Sequence, residues 1–228
     1  MIPAESRVLV GTTCAPYKAD DPSELTKWLT HATDWTGAEF FAAIETDARG
    51  LDPMQPLCER LTQVQGSWIE FRYDCGEDTD PWNRLTRICV GRNFVAQEAV
   101  KRNATHALFL DSDLVPDALS IEKLLELDVP VAGGDVPSYC LSGPAAERYE
   151  FPVQEHWNTA GYLLVKIGVL NRVRWGWGDG LTDDPWFARA VEQAGFGKTF
   201  VRKDCIGVHV PLAPVTERGH DLAYRREP

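Results

Sequence analysis

A chain of 228 residues, 44% apolar and 25% charged, can bury a sizeable core and has the composition of an ordinary globular protein. Its net charge of -11 argues against a broad nucleic-acid-binding face, which needs clustered Lys and Arg. No apolar run approaches the length of a bilayer, and the N-terminal MIPAESRVLV lacks the basic and apolar regions of a secretory signal, so the expected compartment is the cytoplasm.

In chain order, Arg7 to Val10 is a short apolar run ending in Gly-Thr-Thr and reads as a first buried strand. Ser23 to Ala32 reads as helical. Glu39 to Ile44 is a second strand that ends at Glu45-Thr46-Asp47. Pro56 to Gln65 reads as a helix, and Ser67 to Tyr73 as a third strand. This alternation predicts an α/β domain with a largely parallel sheet.

A long helix is predicted over Pro81 to Arg102, with a proline near its start and an aspartate before it. Its apolar stripe runs through Leu85, Ile88, Cys89, Val95, Ala96, Ala99 and Val100, and Arg92 falls in the middle of that stripe. Either Arg92 snorkels or pairs with a core carboxylate, or it points into a cleft toward a phosphate or a site carboxylate. Both readings demand a partner, because an unpaired buried guanidinium is costly.

Ala107 to Leu110 is a fourth buried strand, followed directly by Asp111-Ser112-Asp113. Ala118 to Leu127 reads as a helix, and Val129 to Ala132 as a strand ending in Gly133-Gly134-Asp135. Pro137 to Gln154 is loop-like, and Thr159 to Lys166 is strand-like. A Trp/Gly-rich loop, Trp175 to Gly180, precedes a helix from about Asp184 to Ala194. Lys198 to Val210 reads as extended, and Pro211 to Pro228 as a polar tail. No linker divides the chain. The six cysteines are scattered, form no CxxC pair and read as free thiols.

Three features could carry chemistry. Carboxylates at Asp111 and Asp113, two apart on a turning strand end, can face one cation, and hard oxygen ligands suit Mg²⁺ or Mn²⁺. An Asp-rich turn cap would look the same. Asp183 and Asp184 stand at a helix start, where carboxylates also serve as plain caps; alternatively one is a general base. The adjoining loop, with Trp175 and Trp177, either packs the core or closes over a sugar. His209 is either a core histidine or a third metal ligand.

Together and in this order, these features resemble the GT-A glycosyltransferases. The similarity runs from Arg92-Asn93 through Phe109-Leu110-Asp111-Ser112-Asp113-Leu114 to Ala132-Gly133-Gly134. It continues through Thr159-Ala160-Gly161, Asp183-Asp184-Pro185-Trp186-Phe187 and His209. The resemblance covers about Arg7 to Val210. It implies a Rossmann-like three-layer α/β sandwich with a mostly parallel central sheet, in a single domain. Residues 1–113 would form a nucleotide-binding half, 114–210 an acceptor and catalytic half, and 211–228 a tail.

The resemblance also implies roles. Asp113 would ligate Mn²⁺ or Mg²⁺ directly, Asp111 would contact the ribose or the metal, and His209 would be the late metal or diphosphate ligand. Thr12, Pro16, Tyr17, Glu45 and Asp47 would hold the base and ribose. Arg92, with Asn93 beside it, would contact the donor or brace Asp111. Ser112 would join the donor site, and Gly134, Asp135 and Gly161 would line the donor-sugar pocket. In inverting members the second acid of the pair at the helix start is the base, which here is Asp184, with Asp183 replacing the usual Glu.

The implied activity is sugar transfer from a nucleotide-diphosphate sugar, with a UDP-sugar favoured, to a hydroxyl acceptor. A phage-type transferase acting on hydroxymethylated bases in DNA is an alternative. The acidic charge counts against it, although Arg84, Arg87, Arg218, Arg225 and Arg226 could supply a local track. A sugar-nucleotide nucleotidyltransferase would need a basic Gly-rich loop that Gly11-Thr12-Thr13-Cys14-Ala15 lacks. A non-catalytic sugar-binding module would tolerate loss of either acidic motif.

Overall fold

The computed structural model describes residues 2, 5–15, 22–46, 50–73, 81–136, 161–179 and 181–209, with residues 22, 81, 82, 203 and 209 described by backbone alone. Nine strands are found among them: β1 (Val8–Cys14), β2 (Glu39–Glu45), β3 (Ser67–Phe71), β4 (His106–Leu110), β5 (Leu114–Val115), β6 (Val131–Asp135), β7 (Tyr162–Lys166), β8 (Phe200–Ile206) and β9 (Val208–His209). The helices are α1 (Gln55–Gln63), α2 (Pro81–Lys101), α3 (Ser120–Leu125), α4 (Ile167–Leu170) and α5 (Asp183–Gln193). In place of the helix expected over Ser23 to Ala32 there is a 3₁₀ helix, Pro22–Leu29, followed by turns.

Seven strands form one sheet in the order β3-β2-β1-β4-β7-β6-β8. The pairs β1–β2, β1–β4, β2–β3 and β6–β8 are parallel, and only β7 runs against its neighbours β4 and β6. The mostly parallel sheet expected from the alternation is therefore present. Period-2 alternation divides the core between its faces. Val8, Val10, Phe40, Ala42 and Ile44 pack with Trp28, Leu57, Leu61, Ile121 and Leu124, on the side of α1 and α3. Leu9, Phe41, Ala43, Ala107 and Phe109 pack with Val95, Ala96, Ala99, Phe187 and Val191, on the side of α2 and α5. These are the three layers.

Two strands reach further than their apolar letters. β1 continues through Gly11-Thr12-Thr13-Cys14, paired to Phe41, Ala42, Ala43 and Ile44 on β2, and all seven of its residues are buried. β6 likewise takes in Gly133-Gly134-Asp135. In both places the ladder to flanking strands outweighs the turn preference of small and hydroxyl residues.

The topology gathers strand ends on one edge. The C-terminal ends of β1, β2, β4, β6 and β8, and the N-terminal end of antiparallel β7, share that edge. A small second sheet sits beside it: β5 pairs antiparallel with β9, with Leu114 opposite His209. Ligands of open α/β sheets bind outside the carboxyl ends of the strands, so this edge is where a site is expected.

Candidate active site

Asp111 leaves the end of β4 and its backbone N–H donates to the Gly161 carbonyl at 2.9 Å, at the mouth of β7. A Cβ on Gly161 would stand 2.2 Å from Asp111 Oδ2 and 2.6 Å from its Cγ. Residue 161 must therefore be glycine for the carboxylate to occupy its place. Ser112 is fully buried, and its Oγ has no hydrogen-bond partner among the described residues. Asp113 is half-buried and precedes β5, whose Leu114 lies opposite His209. Strand register thus sets His209 and Asp113 on neighbouring stretches of chain.

Arg92 joins the two acidic motifs. On α2 it is 6% exposed, in the middle of the apolar stripe as expected. Its Nη2 lies 3.3 Å from Asp111 Oδ1, and its Nη1 lies 3.3 Å from Asp184 Oδ1 and contacts Asp183 Oδ2 most closely of all. Trp175 lies under the guanidinium, with the ring centroid 5.1 Å from Cζ. Burial alone would pull the Arg92 pKa down. Attraction to Asp183, Asp184 and Asp111 outweighs it and holds the pKa above its ordinary value. Burial, with Asp183 beside it, pushes the nearby Cys89 thiol up to about 12.

The two acids of α5 differ in surroundings. The Asp183 side chain is 11% exposed, against 31% for Asp184. Asp183 is committed to the buried ion pair, whereas Asp184 is the more exposed of the two. Thr182, the N-cap residue of α5, makes no side-chain capping bond, and Asp183 and Asp184 both stand in the first turn.

The loop before α5 is tied to the same centre. Asn93 donates through Nδ2 to the Trp175 carbonyl at 3.0 Å and accepts from the Trp175 N–H at 2.9 Å. Trp175 stacks on Phe187 at 3.7 Å between centroids and meets Phe109 edge-on at 5.4 Å. Asn93 is thereby placed as a clamp on this loop, a role that its adjacency to Arg92 did not reveal.

The remaining expected residues divide as follows. Thr12 is buried within β1. Glu45 ends β2 and forms a buried ion pair with Arg87 of α2, Nε to Oε1 3.2 Å. Arg87 therefore gives its charge to Glu45 inside the fold and does not extend a surface track with the exposed Arg84. Asp135 ends β6, and its carbonyl accepts from the Gly207 N–H at 2.9 Å. Gly134 faces the Tyr162 ring, 2.2 Å from where a Cβ would sit. The Tyr162 hydroxyl is buried against Ser120 and Cys205. Pro16, Tyr17, Asp47, Thr159, Ala160 and the tail 211–228 lie outside the described residues.

A divalent cation fits this donor set in part. Asp111 and Asp113 offer two hard carboxylates at a strand end, and the His209 backbone pairs with Leu114, the residue after Asp113. Among the described residues no three His, Cys, Asp or Glu side chains converge as a complete ligand group. A half-set of this kind leaves coordination positions to diphosphate oxygens and water.

No protein-family model and no curated protein sequence matches the chain. Among solved structures, it is similar to a mannosyltransferase from Pyrobaculum calidifontis in complex with GDP-Man and Mn²⁺, with a TM-score of 0.58 at 12% identity over 96% of this chain. It is also similar to TarS of S. aureus, with a TM-score of 0.56 at 12% identity over 90% of this chain. The matches span 60% and 36% of the lengths of those proteins. At such identity the likeness is one of fold: the chain has the GT-A-type fold of these glycosyltransferases.

Proposed function

We propose that this protein is a metal-dependent glycosyltransferase. It moves a sugar from a nucleoside-diphosphate sugar to an acceptor hydroxyl, with inversion at the anomeric carbon. The observation that carries this reading is the Arg92 bridge, which ties Asp111 at the end of β4 to Asp183 and Asp184 at the start of α5. Two acidic motifs far apart in sequence thereby meet at one guanidinium, as a donor-side and an acceptor-side carboxylate of one site would.

Asp113 and Asp111, with His209, are the proposed holders of Mn²⁺ or Mg²⁺, which when bound would neutralise charge building on the departing diphosphate. The acceptor oxygen attacks the anomeric carbon from the face opposite the diphosphate. The carbon–oxygen bond to the diphosphate breaks, and its electron pair leaves on the nucleoside diphosphate. The acceptor proton passes to the Asp184 carboxylate, the more exposed of the pair. Asp183 stays with Arg92 and fixes the first turn of α5. Gly161 and Asp135, at the mouths of β7 and β6, are proposed to border the donor sugar, with Ser112 beside the diphosphate. The base and ribose are proposed to lie over the ends of β1 and β2, with Pro16, Tyr17 and Asp47 as the residues to test.

Asp184→Asn tests the assignment directly. It should leave donor binding in place and lower the transfer rate by about 10²–10⁴-fold, the range of general-base contributions. Transfer at the unaltered rate would remove Asp184 as the base.

A further inference from the structure

We propose that a pocket at the opposite edge of the sheet from the acidic motifs binds a small organic phosphate.

The pocket forms where Arg7 precedes β1, His106 opens β4 and Lys166 ends β7. His106 and Lys166 are partners across the β4–β7 ladder. Its volume of about 570 Å³ lies within the range of roughly 300–1,000 Å³ usual for small-molecule sites. Between His106 and Asp111 stands the whole of β4, roughly 17 Å of extended chain. The pocket is therefore separate from the candidate active site.

Two observations set the chemistry of its occupant. The first is charge. In a chain of net charge -11, no Asp or Glu is among the lining residues, whereas Arg7 and Lys166 are. The second is hydrogen-bonding capacity. The lining carbonyls of Arg7, Val100, Thr105, Pro130, Ile167 and Val169 each already accept a backbone N–H inside the fold. What remains unspent is mostly donors. Among the described residues the Arg7 guanidinium and the side-chain amides of Asn103 and Asn171 have no partner. Lys166 Nζ donates to the Asp128 carbonyl at 3.0 Å and to its carboxylate at 2.7 Å, which leaves one of its three N–H groups. The Asp128 side chain is 89% exposed, so this pair is weak and leaves Lys166 available to a ligand.

A lining of spent acceptors and open cationic donors suits a ligand rich in negative charge and acceptor oxygens. A phosphate monoester is close to a dianion at neutral pH and has three such oxygens, which a guanidinium can take two at a time. The rest of the lining is carbon, with Val100, Ile167 and Phe196 beside the donors. Arg172 lies over the Phe196 ring, Cζ to centroid 5.2 Å, and holds a third cation against that wall. An apolar group on the phosphate would cover this surface, whereas inorganic phosphate would leave it bare.

The test titrates the full chain in EDTA, at neutral pH, with phenyl phosphate, inorganic phosphate and benzyl alcohol. Calorimetry gives the affinities. Nuclear magnetic resonance of the histidine rings locates the site, with the His106 signal assigned by its loss in His106→Gln. Phenyl phosphate should bind saturably and shift the His106 signal. Inorganic phosphate should bind about tenfold more weakly, and benzyl alcohol not at all. Arg7→Gln and Lys166→Gln should each weaken phenyl phosphate by about tenfold or more, as expected for a hydrogen bond to a charged group. Arg7→Gln should melt with the wild type, since it removes no side-chain contact. No saturable binding of phenyl phosphate at millimolar concentration would overturn the proposal. So would binding that leaves the His106 signal in place, or affinity unchanged in a folded Arg7→Gln. Inorganic phosphate or benzyl alcohol binding as tightly as phenyl phosphate would overturn it too. The site stands apart from the transferase reading, and none of these outcomes bears on that reading.

Discussion

Replacing Arg92 by methionine removes one positive charge from among three carboxylates and keeps most of the aliphatic stem against Trp175. Asp183 is the partner that cannot recover, because the residue is 8% exposed and its shortest contact is to Arg92. Stripping one partner from a buried ion pair costs about 3–5 kcal/mol, since the remaining charge stays desolvated. Asp111 and Asp184 keep side-chain exposures of 28% and 31%, so water takes over much of what Arg92 supplied. Each adds no more than about 1 kcal/mol. The expected loss is about 3–7 kcal/mol, or a fall in Tm of roughly 6–28 °C for a chain of this size. Thermal and urea unfolding followed by circular dichroism measure it. The double variant Arg92→Met/Asp183→Asn should regain a large part of the loss, because the orphaned charge is gone. A single variant that melts within about 2 °C of wild type would refute a buried Arg92–Asp183 pair as the tie between α2 and α5.

Two further outcomes follow from the geometry. Gly161→Ala places a Cβ where Asp111 Oδ2 now lies, 2.2 Å away, so the carboxylate must move by about 1 Å. Misplacement on that scale should cost about 10²-fold in transfer rate while the far-ultraviolet spectrum is unchanged; wild-type kinetics would show that Asp111 is not held there. His106 has its pKa lowered by burial first and by Lys166 second, with Asp128 opposing. The unfolded chain therefore takes up a proton near pH 6.5 that the folded chain resists, and wild type should lose stability as pH falls below about 6.5. His106→Gln should lose less between pH 7.5 and 5.5 in urea midpoints; parallel curves would contradict the lowered pKa of His106.

Much of the site could be read from local letters. Asp111-Ser112-Asp113 follows an apolar run, so its place at a strand end was visible, and Arg92 in an apolar stripe announced a buried partner before any partner was known. What could not be read is which distant groups meet. The choice of Asp183, Asp184 and Asp111 as partners depends on how α5 returns across the sheet edge. The Glu45–Arg87 pair depends on how α2 lies over β2. Neither leaves a trace in periodicity. The same limit applies to Asn93, whose amide reads as a ligand contact by its neighbour and serves as a clamp on Trp175. The extents of β1 and β6 were underestimated because Gly, Thr and Asp prefer turns when judged alone, and adjoining strands override that preference. The opposition of Leu114 and His209 is a product of tertiary register, although both residues were already candidates or their neighbours.

The central claim is that the end of β4 holds a metal–diphosphate pair. Calorimetric titration with GDP-mannose and with UDP-glucose, in Mn²⁺ and then in EDTA, tests it on wild type and Asp113→Ala. At least one donor should bind in Mn²⁺, lose that binding in EDTA, and bind about 10²-fold or more weakly to Asp113→Ala, since one of few proposed protein ligands is removed. Donor binding that is equal in EDTA, or unaltered in Asp113→Ala, would contradict it.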